Sequence, residues 1–134
     1  MRDERFEAAV AAILRQDQRY PAKAYSLMPT VIDYTLRHLP AQAGEEEHSR
    51  PQGHVSGRQL ALGFRDYLLA EYGPFAAELL DALNIHATDD IGNIVYNLIA
   101  VGLFGKTQQD SLSDFHALYD FPETFRAPYL PLKD

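Results

Sequence analysis

Apolar residues recur along the first part of the chain with the spacing of one helix face. Phe6, Ala9, Val10, Ile13 and Leu14 fall at i, i+3, i+4, i+7 and i+8, with Arg5, Glu7 and Arg15 off that stripe, which predicts a first helix over 3–16. A polar turn follows. Pro21 suits a first helical position, and Tyr25, Met28, Ile32, Leu36 and Leu39 continue a second stripe to residue 39. Pro29 lies inside that stripe and has no N–H for the Tyr25 carbonyl, so the second helix is expected to kink or to start again near Thr30. Residues 40–53, PAQAGEEEHSRPQG, hold two prolines, two glycines and an acidic triplet, which reads as a loop.

The third helix has the best-defined start. Ser56 is a candidate N-cap, Gln59 completes a capping box, and Val55 can pack on Leu60 as a hydrophobic staple. Leu60, Phe64, Tyr67 and Leu68 form its buried face. Gly73 supplies a left-handed stop and Pro74 starts the next helix at once. That fourth helix, 74–83, is expected to bury Phe75, Leu79, Leu80 and Leu83 and to stop at Asn84. Thr88 is the expected cap of a fifth helix, with Asp89 and Asp90 in its first turn and Ile91, Ile94, Val95, Leu98 and Ile99 facing inward. Gly102 and Gly105 mark a change of direction. Ser111 with Asp114 resembles a second capping box, for a short helix carrying Leu112, Phe115 and Leu118. From Phe121 onward, Pro122, Pro128 and Pro131 alternate with Phe125, Tyr129, Leu130 and Leu132, which predicts an extended tail lying on a surface.

The pattern therefore predicts one mainly α domain of five to six helices over 1–134. Its parts are a helical pair at 1–39, a loop at 40–53, a helical core at 54–121 and an extended Pro/aromatic tail at 122–134. The helix order also matches a winged helix, with 103–121 as a small β-hairpin or, alternatively, a short helix.

Composition narrows the function classes. The 134 residues include 12 Lys or Arg against 19 Asp or Glu, for a formal net charge of −7, and no Cys. Disulfides, thiolate metal sites and Cys nucleophiles are thereby excluded. Charges are scattered through the first twenty residues, where a secretory signal would need an apolar run, so a cytoplasmic location is expected. No stretch reaches the ~20 apolar residues of a membrane span. Between Pro74 and Gly105 lie Glu78, Asp81, Asp89 and Asp90 and no Lys or Arg. A fifth helix of that sign would repel phosphates, so nucleic acid is an unfavoured partner. A protein partner suits it better. Arg15, Arg19 and Lys23 cluster near the first turn, either as an anion contact or as solvated charges paired with Asp17 and Glu7.

Few residues carry recognisable chemistry. His48 in the 40–53 loop and His54 directly after it lie near an acidic triplet, but their spacing matches no standard zinc motif, so no metal ligands and no cofactor are assigned. His116 has Asp114 and Asp120 nearby in sequence, without an adjacent nucleophile. The segment GLFGKT is too short between its glycines for a phosphate loop, and GxSxG and GxGxxG do not occur. Tyr96 and Asn97 are polar residues in the most apolar helix, with a structural role favoured for Asn97. No catalytic residue is assigned.

The runs HVSGRQLALGFRDYLLAEYGPFAAELLDALNI at 54–85 and TDDIGNIVYNLIAVGLFGKTQQDSLSDFHALYDF at 88–121, with DQRY at 17–20 and AY at 24–25, resemble an uncharacterised bacterial family described as restricted to Planctomycetes and Verrucomicrobia. Pro29 departs from that family's pattern. The resemblance implies a bacterial cytoplasmic protein and singles out His54, Gly57, Gly92, Asn97, Lys106, Asp110 and Asp114. Gly57 and Gly92, at helix positions, point to close backbone packing rather than catalysis. The candidate binding residues are thus His54, Tyr96, Asn97, Lys106, Asp110, Asp114 and His116. The expected function is that of a small acidic protein-interaction module, adaptor or regulatory. The alternatives are a small metal-dependent or His/Asp hydrolase and a winged-helix nucleic-acid binder; a homodimer through the aromatic tail is a further expectation.

Overall fold

The structure, a computed structural model, describes residues 3–38 and 55–131. Leu39, the expected 40–53 loop with His48, the candidate residue His54 and residues 132–134 lie outside the described residues. The chain is mainly helical, and no strand occurs among the described residues. The helices are α1 (Glu4–Gln16), α2 (Ala22–His38), α3 (Gly57–Tyr72), α4 (Ala76–Ala82) and α5 (Thr88–Ala100). No helix among them is long and apolar enough to cross a membrane.

Local chemistry fixes most helix ends. Asp3 Oδ1 accepts from the backbone N–H groups of Arg5 and Phe6, which starts α1. At α3 the expected capping box is complete: Gln59 N donates to Ser56 Oγ at 3.1 Å, and Ser56 N donates to Gln59 Oε1 at 2.8 Å. Gly73, at φ +49°, ends that helix in the conformation a glycine tolerates, and Asn84, at φ +60°, follows α4 as its stop.

Four local expectations are corrected. α2 runs through Pro29 as one helix, so of the two outcomes expected there, a kink or a restart near Thr30, the restart does not occur. Pro29 sits on the exposed side, where its ring meets solvent, while Tyr25, Met28 and Val31 bury the opposite face and hold the helix together. Phe75 is 66% exposed rather than buried. A three-residue 3-10 turn, Gly73–Phe75, precedes α4 and takes Phe75 off the stripe formed by Ala76, Ala77 and Leu80. Thr88 is not the cap of α5. Asp90 Oδ2 holds the free N–H groups of His86 and Ala87 at 2.8 and 3.2 Å, and the buried Thr88 hydroxyl donates to the Phe115 carbonyl at 2.6 Å. Finally, the tail is not extended from residue 122. It forms a π-turn, Pro122–Arg126, then a 3-10 turn, Ala127–Tyr129. Phe121 and Phe125, four residues apart, both reach the core only if the backbone between them coils; their rings meet edge to face at 5.0 Å.

Residues 103–121 form turns and a 3-10 helix, Leu112–Phe115, so the hairpin that a winged helix requires is not present there. The Phe115 ring explains why. It sits between the backbones of α3 and α5, where a Cβ on Gly57 would come within 3.0 Å of it and a Cβ on Gly92 within 2.9 Å. The two glycines allow this approach, and Phe115, 2% exposed, anchors the segment to the core instead of letting it project as a wing. α2 packs along α3, close enough that a Cβ on Gly63 would collide with Thr35. α5 lies centrally, against α1, α2, α3 and the Leu112–Phe115 turn.

Candidate functional site

The polar residues of α5 divide between two faces. Asp90, Asn93 and Asn97, at i, i+3 and i+7, point toward the turn joining α1 and α2. Tyr20 is 2% exposed and donates its hydroxyl to Asp90 Oδ1 at 2.5 Å, while Asn93 Nδ2 donates to the same hydroxyl oxygen at 3.1 Å. Burial, and then the Asp90 carboxylate, push the Tyr20 phenol up to about 12. Asn97 Nδ2 donates to Asp17 Oδ2 at 2.9 Å and to the Tyr25 hydroxyl at 3.0 Å. Arg19 grips both Asp17 oxygens, through Nε at 3.0 Å and Nη2 at 2.7 Å, and holds that carboxyl well below its ordinary range. Asn97 is thus a structural clamp. Arg19 is spent on Asp17, the paired reading of the basic cluster.

The other face brings several sequence candidates together. Tyr96, Lys106, Asp110 and Asp114 line one notch at the start of α3, beside Val55 and Ser56. The Tyr96 hydroxyl oxygen is buried there without a hydrogen-bond partner, and burial followed by the negative charges of Asp110 and Asp114 raises its pKa. The carboxylates also organise their own loops. Asp110 Oδ2 accepts from Thr107 N at 2.8 Å, and Asp114 Oδ2 from Ser111 N at 2.9 Å. The notch holds about 30 Å³, room for roughly one water molecule and not for a substrate.

His116 stands apart from these residues. It is exposed, and its Nδ1 faces Asp89 of α5 at 3.2 Å, rather than Asp114 or Asp120. Asp120 instead accepts from the Glu123 backbone N–H at 3.0 Å. Among the described residues no group of three His, Cys, Asp or Glu side chains is placed to hold a metal ion.

Two concave surfaces were not foreseen from the sequence. A groove of about 310 Å³ between α1 and α2 is lined by Phe6, Val10, Ala11, Leu14 and Ala22, with Glu7, Lys23 and Ser26 at its edges. The apolar stripe of α1 was legible; that α2 leaves part of it uncovered was not. The second is a cleft of about 240 Å³ between α4 and the Pro122–Arg126 turn, where Leu80, Ile85 and Phe125 meet Asp81, His86 and Arg126. Arg126 Nη2 donates to Asp81 Oδ2 at 2.6 Å. Nothing local in the sequence joins residues so far apart.

Compared with family models, curated proteins and solved structures, the chain matches none of them.

Proposed function

We propose that this chain is a small acidic protein-interaction module, adaptor or regulatory in role, acting in the cytoplasm, and that the groove between α1 and α2 receives its partner. The observation that carries this reading is the groove's lining, five apolar residues with a single acid and a single base at the rim. Grooves of that composition suit the apolar face of an amphipathic helix, read through anchors at i, i+3 or i+4, and i+7. The small side chains of Ala11 and Ala22, both exposed, leave space for such anchors.

Charges at these two alanines test the reading. Ala11→Glu and Ala22→Glu place carboxylates in the groove at exposed helical sites and should change stability by less than about 0.5 kcal/mol. A partner recovered from the source cell by the wild-type chain should be lost by both variants. Equal recovery would sink the assignment to this groove.

A homodimer is the second reading, favoured by Tyr129 and Leu130, which remain 44% and 64% exposed after the turn that buries Phe125. Dimerisation through them would appear as a mass that halves in Leu130→Asp. The hydrolase alternative draws less support, since His116, Asp114 and Asp120 face three different partners. So does nucleic-acid binding through α5, whose polar stripe is engaged by residues 17–25 and whose apolar face is buried. We also propose membership of the uncharacterised family that the sequence resembles. That proposal rests on the quoted runs themselves. An alignment of the family that lacked DQRY and DIGNIVYNL at the matching positions would remove it.

A further inference from the structure

Most of the apolar lining of the groove between α1 and α2 belongs to α1: Phe6, Val10, Ala11 and Leu14, of which Ala11 is exposed and Phe6 and Leu14 are half-buried. From Phe6 to Leu14 this stripe rises about 12 Å. Ala11, near its middle, is small enough to let a second helix come close. The two rim charges stand at opposite ends of the stripe. Glu7 lies in the N-terminal half of α1, whereas Lys23, in the first turn of α2, flanks the C-terminal half, because only a short turn joins the two helices. Net charge also sets this part of the molecule apart. Residues 3–26 hold four Asp or Glu and four Arg or Lys, so the formal −7 of the chain arises outside them. Copies of an acidic chain repel one another through the rest of their surface and meet without net repulsion here.

We propose that the partner seated in this groove is a second copy of the chain, with α1 packed antiparallel on the partner's α1 about a two-fold axis beside Val10 and Ala11. The inference rests on the reading of the groove as a contact surface and names its occupant. A two-fold axis across a helix turns its copy end for end. Phe6 then rests against the partner's Leu14, Ala11 faces the partner's Val10, and Glu7 reaches the partner's Lys23. Each such pair occurs twice, as in any isologous contact. A groove with an acid at one end and a base at the other is therefore complementary to itself. The apolar stripe drives the association and the rim pairs fix its register. One helix and the first turn of another make a small interface, for which a Kd on the order of 10–100 μM is expected. Dimerisation through Tyr129 and Leu130 would leave the groove open, so the two contacts are separable.

The test is sedimentation equilibrium of the full chain from about 1 to 500 μM, across which the mass should rise from one chain toward two. Ala11→Glu should weaken association by at least about tenfold, and Leu130→Asp should leave it unchanged. Lys23→Glu sets acid against acid at both ends of the contact and should also weaken it about tenfold. Combining it with Glu7→Lys should restore the dimer, a recovery that general damage to the groove would not produce. A mass that stays at one chain, a dimer unmoved by Ala11→Glu, a dimer lost in Leu130→Asp, or a double variant no better than Lys23→Glu would each overturn the proposal. A monomeric chain that still captures a cellular protein, and loses it in Ala11→Glu, would refute the second copy alone. A dimer and a captured protein both indifferent to Ala11→Glu would refute the groove reading with it.

Discussion

Tyr20 shows how much one side chain contributes to the assembly of this protein. Its ring is buried beside α5, and its hydroxyl both donates to the Asp90 carboxylate and accepts from Asn93. A hydrogen bond to a charged acceptor contributes about 1.5–3 kcal/mol, so Tyr20→Phe should lose roughly that much stability in urea denaturation at pH 7. The pH dependence has a definite sign. The folded phenol is pushed up to about 12, above the unfolded value of about 10, so its contribution is complete below about pH 10 and is lost as pH rises through about 12. Tyr20→Phe should therefore show a shallower alkaline loss of stability than the wild type, and an unchanged slope would contradict this account. Gly92 makes a steric rather than an electrostatic argument. Its missing Cβ leaves room for the Phe115 ring, and Gly92→Ala should cost about 1–3 kcal/mol through overpacking. Pairing it with Phe115→Leu should restore part of that loss, a coupling that a double-mutant cycle measures. The prominence of Gly57 and Gly92 was legible in the sequence; the single ring that needs both was not.

At the scale of elements, α2 and the C-terminal turns carry the most informative departures from simple periodicity. Pro29 stays within α2 because the helix is held by its buried face, Tyr25, Met28, Val31 and Thr35, while the proline occupies the hydrated side. The lost bond still has a cost. Pro29→Ala should restore a donor for the Tyr25 carbonyl and raise stability by about 1–3 kcal/mol, seen as a higher urea midpoint. An unchanged midpoint would mean that the proline imposes no strain on α2. The segment after Phe121 reads as extended because three prolines punctuate it. Its aromatic pair coils it instead, since Phe121 and Phe125 reach α4 together only from one face of a turn. Capping boxes, by contrast, are decided within four residues, and the Ser56–Gln59 box forms as its spacing indicates.

For the whole molecule, the C-terminal turns close the fold. A chain truncated after Phe121 would lose Phe125, 1% exposed, and the Arg126–Asp81 ion pair. Its stability should fall by about 3–5 kcal/mol, as for other deletions of a buried aromatic ring, and a midpoint equal to that of the full chain would refute the turn's part in the core. The charge picture also changes at this scale. The acids of α4 and α5 form a uniformly negative run in sequence, yet Asp81 meets Arg126, Asp89 meets His116 and Asp90 meets Tyr20. Tyr96, Lys106, Asp110 and Asp114, which the sequence singled out without placing them together, line one notch. Asp81, His86 and Arg126 were not singled out at all. What the chain's order of residues determined by itself was the set of five helices, the Ser56–Gln59 cap and most inward faces, because those depend on contacts three or four positions apart; the cap of α5 and the side taken by Phe75 were not among them. Only the tertiary structure decided which polar atoms meet, where α1 is left uncovered and how the tail coils. Such pairings join positions 27 to 80 residues apart, as in His116 with Asp89 and Asn97 with Asp17, and they arise only when the apolar faces have packed.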